Sequence, residues 1–207
     1  MKSALFPMRL MAALSFLVAL VSYRFVVLGL SGAFPDMIGH IDLRRTAFAA
    51  HVVAAPVALA TGAMQFFPKL RSGRPWLHRW NGRFYGFAVL AGGVGGLVLS
   101  VGGAADRPVA ALGFGTLALA WLATTAFGIF QARARNFSEH RKWMIRSFAL
   151  TFAAVTLRLM LPVFFFGFGM TYAEASNWVA WLCWLPNLVL AQWLIRRGPV
   201  PIPPKLV

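Results

Sequence analysis

Six runs of roughly 20 predominantly apolar residues, at about 10–30, 47–67, 84–103, 109–131, 147–169 and 176–195, constrain this chain more than any other feature. A bilayer core about 30 Å thick is crossed by about 20 helical residues, and a backbone in hydrocarbon must satisfy its own polar groups. The expectation is an all-α integral membrane protein with six transmembrane helices in one domain over residues 1–207, ending in a proline-rich tail, 198–207. With 59% hydrophobic and 12% charged residues in a chain of 207, no stretch remains that could build a separate soluble domain.

The runs are punctuated asymmetrically. The stretch PKLRSGRPWLHRWNGRFY, 68–85, closes runs two and three into a hairpin, and ARARNFSEHRKWMIR, 132–146, does the same for runs four and five. Each connection carries a His-Arg pair before its outgoing run, His78-Arg79 and His140-Arg141, so the middle of the chain reads as two tandem hairpins. Runs two to five, each with a small or polar face, are expected to form a four-helix core flanked by runs one and six.

A formal charge of +15 raises nucleic acid as a partner, and the placement of the charge argues against it. With the N-terminus inside, 15 of the 20 cations fall on the inner side, whereas Asp36, Asp42, Asp106 and Glu174 fall outside. The positive-inside rule accounts for that distribution, giving a bacterial inner-membrane protein with both termini cytoplasmic. The first run contains Arg24 and lacks a cleavage site, so it reads as a retained helix. Cys183 is the only cysteine, which excludes intrachain disulfides and cysteine-rich metal sites.

Faces follow from helical spacing. Run one carries a small stripe at Ala12, Ser15, Ala19 and Ser22, suited to packing, with Arg24 off it and expected to reach the interface. In run two His51, Ala55, Ala58, Gly62 and Gln65 share a face, beside Pro56. Run three offers Gly82, Gly86, Gly93 and Gly96, and run four Gly113, Ala120, Thr124, Gly128 and Gln131. Close helix packing is the favoured reading of the glycines, with a flat ligand as the alternative. Run five aligns Ser147, Thr151, Ala154 and Arg158, followed by Pro162. Run six has Trp178, Trp181 and Trp184, read as interfacial anchors, and Pro186 near its middle. Asp36, His40 and Asp42 in the outer loop form a weak metal pattern, for which solvation or pairing with Arg44 and Arg45 is the simpler reading.

Arg158 is the sharpest functional signal. An arginine at membrane depth costs several kcal/mol unless paired, hydrated or given a ligand, and none of the six runs contains an acidic residue. His51 lies at a comparable level, so the candidate ligand-binding set is His51, Arg158, Gln65, Gly93, Gly96 and Thr124, for an anionic or amphipathic ligand such as haem b, a quinone or a lipid. His51 as a haem ligand would act alone, because His78 and His140 lie at the opposite end. A second candidate site joins His78, Arg79, Arg83, His140, Arg141 and Arg146, with too few carboxylates for zinc and an arginine excess that suits acidic lipid headgroups. No phosphate-loop, nucleophile-elbow, zincin or dinucleotide fingerprint is present, so nothing in the sequence supports catalysis. A small-anion permease and a lipid- or partner-docking protein are the alternative functions.

His51, the segment Gly62-Ala63-Met64-Gln65-Phe66, the segment His78-Arg79-Trp80-Asn81-Gly82-Arg83-Phe84-Tyr85, the segment His140-Arg141-Lys142-Trp143-Met144-Ile145-Arg146, and Arg158 together resemble a bacterial family of predicted membrane proteins, domain of unknown function 2306. The resemblance covers roughly residues 47–165. It implies a multi-helix membrane protein and brings no activity with it.

Overall fold

The computed structural model describes the backbone of residues 2–198 and the side chains of residues 6–198 other than Lys69. The rest of the proline-rich tail, 199–207, lies outside the described residues. Eleven helices make up the described chain, with no strand: α1 (Lys2–Ser22), α2 (Phe25–Ala33), α3 (Ile38–Leu43), α4 (Arg45–Met64), α5 (Pro68–Gly73), α6 (Pro75–Gly102), α7 (Pro108–Arg133), α8 (Phe137–Thr151), α9 (Ala153–Pro162), α10 (Tyr172–Leu182) and α11 (Leu185–Arg196). Five helical stretches are long and apolar enough to cross a membrane, and a sixth follows if the bent pair Phe6–Ser22 and Phe25–Ala33 is one span.

Three of the six apolar runs are interrupted. The first turns by 73° between α1 and α2, where Tyr23 and Arg24 leave the helix. Arg24 Nη2 donates to the carbonyl of Ala33 at 2.6 Å, and its guanidinium lies over the Phe34 ring at 4.7 Å. The expected reach to the interface is therefore replaced by a cap on the C-terminal end of α2, whose last carbonyls lack helical donors. The fifth run breaks at Phe152, between α8 and α9, next to Thr151, whose hydroxyl bonds back to the Ser147 carbonyl at 2.9 Å. It passes into a π turn, Val163–Gly167, directly after Pro162, whose missing N–H disturbs the ladder. The sixth run breaks at Cys183 and Trp184, two residues before Pro186. A capping box starts that run, with Thr171 and Glu174 bonding reciprocally.

Packing follows the small faces. Ala12, Ser15, Ala19 and Ser22 are all buried, and α1 lies against α4 and α9. Around the centre α4 packs on α6, α6 on α7 and α7 on α8, while α8 touches back to α4; α10 lies on α7 and α11 on α8. The glycines let α4 and α6 approach closely. A Cβ on Gly95 would stand 2.6 Å from the Ala47 carbonyl, and one on Gly92 3.2 Å from the Ala55 nitrogen. Gly62 receives the edges of the Tyr85 and Phe148 rings in the same way. Close packing without side chains is how apolar helices associate where no hydrophobic effect separates helix from lipid.

The reading of the tryptophans is corrected in part. Trp184 is no interfacial anchor: it is 5% exposed, in the core, and its indole N–H donates to the Ala180 carbonyl at 2.7 Å. Trp178, by contrast, is 57% exposed on the outer flank of α10. The outer loop is a 3-10 turn, Pro35–Met37, followed by α3, and its Asp36 and Asp42 side chains are exposed. Among the described residues no group of three metal-ligating side chains forms, and the ion pair found is Lys142 with Glu139.

Candidate functional site

Arg158 projects from α9 toward the break in the first run. Its Nη1 donates to the Ala154 carbonyl at 2.9 Å and its Nη2 to Ser22 Oγ at 2.8 Å. Both acceptors are neutral, and a guanidinium carries five N–H donors. The charge acting on it is another guanidinium, that of Arg24, and among the described residues no carboxylate compensates the pair. Two like charges in a poorly solvated setting repel unless an anion joins them.

His51 stands on the α6-facing side of α4. Its Nδ1 meets the Gly92 carbonyl at 2.7 Å, so Nδ1 carries the proton and Nε2 the lone pair. Nε2 has no hydrogen-bond partner among the described residues. The imidazole is within electrostatic range of Arg158, though the two do not bond directly. Side chains cover the glycines that a flat ligand would need: Leu122 lies over Gly93 and the His51 ring over Gly96. Thr124 spends its hydroxyl on the Ala120 carbonyl at 2.7 Å. Gln65 is fourteen residues from His51, about 21 Å along the axis, and belongs to the other end of the bundle.

At that basic end Gln65 Nε2 donates to the His78 carbonyl at 3.1 Å, while Gln65 Oε1 and His78 Nδ1 are buried without partners. His78 and His140 come close enough for their charges to interact, with Arg71 and Arg79 also in range of His78. His140 Nδ1 bonds the Gly128 carbonyl at 2.8 Å. Arg146 is structurally engaged, with Nε and Nη2 donating to Gln192 Oε1 at 3.1 and 3.0 Å and its plane over Trp143 at 4.6 Å. Arg83 stacks on Trp80 at 4.8 Å, and Arg79 is exposed.

A buried polar network lies in the core between these ends. The Tyr85 hydroxyl, 1% exposed, meets Ser147 Oγ at 2.5 Å and Thr151 Oγ1 at 2.8 Å. Thr151 also accepts from Trp121 Nε1 at 2.8 Å, and Thr125 meets Ser147 Oγ at 2.7 Å. With Thr125 bonding the Trp121 carbonyl and Thr151 the Ser147 carbonyl, six contacts share the five hydrogens of Tyr85, Trp121, Thr125, Ser147 and Thr151. This cluster joins α6, α7 and α8 without any ionised group. Ser147 and Thr151 stand out in the sequence as a polar face; Trp121 and Thr125 carry no such signal.

These features define a multi-pass, all-helical integral membrane protein with a neutral hydrogen-bonded core and an uncompensated arginine on one flank. The chain belongs to the family described as "Predicted membrane protein (DUF2306)", whose model matches residues 48–195. The match extends the recognised region through the sixth run. No curated protein and no solved structure matches the chain.

Proposed function

We propose that this protein binds an anionic or amphipathic ligand, of the class that includes haem, quinones and lipids, at Arg158 beside His51. The observation that carries the reading is the environment of Arg158: two bonds to neutral acceptors, Arg24 in range, and no carboxylate. An anionic group would take the remaining donors and relieve the repulsion between the guanidiniums. His51 contributes Nε2, its tautomer set by the Gly92 carbonyl in the way a backbone carbonyl commonly orients a ligating imidazole.

The covered glycines at positions 93 and 96 argue against a macrocycle wedged behind α6. The positive-inside rule supports an orientation with the arginine-rich end in the cytoplasm of a bacterial inner membrane.

The test is purification in mild detergent, followed by a visible spectrum and mass spectrometry of extracted small molecules. The wild type is expected to retain a ligand that Arg158→Gln and His51→Ala lose. A wild type carrying nothing above the detergent background, or equal retention by both variants, overturns the reading.

A permease for small anions is the second reading, favoured by the interrupted runs. α9 touches two of the breaks, through Ser22 and through Asn187, which bonds both Thr156 and the Cys183 carbonyl. Anion uptake into proteoliposomes, abolished in Arg158→Gln, separates transport from retention.

A further inference from the structure

On the basic end a second feature is independent of Arg158. A groove of about 560 Å³ opens between α1, α4, α5 and the start of α6, lined by Phe16, Met64, Phe67, Leu70, Arg74 and Leu77. Five of the six lining residues are apolar.

The residue types around the groove are those of a membrane surface. Trp76 and Trp80 are exposed beside it at the start of α6, the position at which indoles mark the headgroup level. From there the walls run down α1 and α4 to Phe16 and Met64. The short α5 covers the upper end, with Leu70 turned into the groove and Arg71 and Ser72 exposed.

The charge at the mouth has no protein partner. Arg74 makes no side-chain hydrogen bond or ion pair among the described residues. The sequence has no acidic residue between Asp42 and Asp106, and Glu139, the carboxylate of the other basic connection, is held by Lys142 at 2.6 Å.

We propose that this groove is a binding site for an anionic phospholipid, with an acyl chain against Phe16, Met64 and Leu77 and the phosphate on Arg74. The apolar walls alone would take any lipid chain; the uncompensated guanidinium selects the anionic headgroup. Basic pockets between helices on the positively charged side of membrane proteins have the chemistry to do this.

The test uses full-length protein carrying Arg158→Gln, so that the other site does not contribute, in mixed micelles with equal phosphatidylglycerol and phosphatidylcholine, read by native mass spectrometry. Retention is expected to favour phosphatidylglycerol. Arg74→Gln lowers that preference about fivefold, the equivalent of one cation near a membrane surface, while total lipid bound changes little. Arg74→Lys keeps the preference, Leu77→Trp fills the groove and loses lipid of both kinds, and Arg196→Gln, at an exposed cation on the end of α11, leaves retention unchanged. Equal retention of the two lipids before Arg74 is changed, or a preference that survives Arg74→Gln, overturns the assignment.

Discussion

The Tyr85 network permits a prediction that runs against a simple count of contacts. Tyr85→Phe removes two contacts and one hydrogen, leaving four contacts for the four hydrogens of Trp121, Thr125, Ser147 and Thr151. Ser147 then donates to Thr125, Thr125 to the Trp121 carbonyl, Thr151 to the Ser147 carbonyl and Trp121 to Thr151, so nothing is orphaned. The net loss is one hydrogen bond, worth about 0.6 kcal/mol on average between membrane helices and at most about 1.7.

Thr151→Val is nearly isosteric yet behaves differently. It removes the acceptor of the Trp121 indole N–H in the core. Two bonds go, at about 0.6 kcal/mol each, and an unpartnered buried donor adds about 1–3 kcal/mol. The expected cost is about 2–4 kcal/mol. Reversible unfolding of the purified protein by SDS titration in mixed micelles measures both variants. The sharper readout is a double-mutant cycle, in which Trp121→Phe costs about 1–3 kcal/mol less in the Thr151→Val background, because the orphaned donor is then gone. Equal costs for Tyr85→Phe and Thr151→Val, together with a cycle showing no coupling, would refute the hydrogen assignment.

Further predictions follow from packing and charge. Gly95→Ala drives a methyl group into the Ala47 carbonyl and is expected to cost about 1–3 kcal/mol in the same titration. Gly39→Ala, with nothing within 4 Å of the added carbon, is expected to be neutral or slightly stabilising. His40 on α3 is held below the ordinary imidazole range by burial and by the Arg44 and Arg107 charges, against a smaller opposing pull from Asp106. Its depressed folded value means the unfolded chain binds the proton more readily, so stability falls as pH drops below about 6.5 towards that value. Thermal melts from pH 7.5 to 5 are expected to show a smaller acid loss in His40→Gln; an unchanged slope would remove His40 from the account.

Much of the architecture is legible in spacing alone, because helix faces in a membrane are written in small residues. Ala12, Ser15, Ala19 and Ser22 recur at helical intervals and are buried, and the glycines of run three prove to be contact points for α4 and α7. The breaks are less legible. Pro186 announces one, and in the first run the backbone leaves helical geometry at Gly29, with φ at 69°, but the bond from Arg24 to the Ala33 carbonyl nine residues on is one that no local pattern encodes.

The candidate site divides along the same line. Arg158 is conspicuous because charge is scarce in an apolar run, and its solitude among acids is visible in the residues themselves. Its bond to Ser22 joins positions 136 apart in sequence and depends on how α1 and α9 pack. Thr125 lies one residue, about 100° of rotation, from Thr124. In a helix that is apolar all round, nothing marks which of the two hydroxyls joins a neighbour.

Cys183 sits at the joint between α10 and α11, 0% exposed, and it is the only thiol in the chain. A maleimide added to the unmodified protein therefore has one place to react, and can do so when that joint opens. The labelling rate in detergent, in lipid and with candidate ligands present would time the opening of the sixth run without any engineered cysteine.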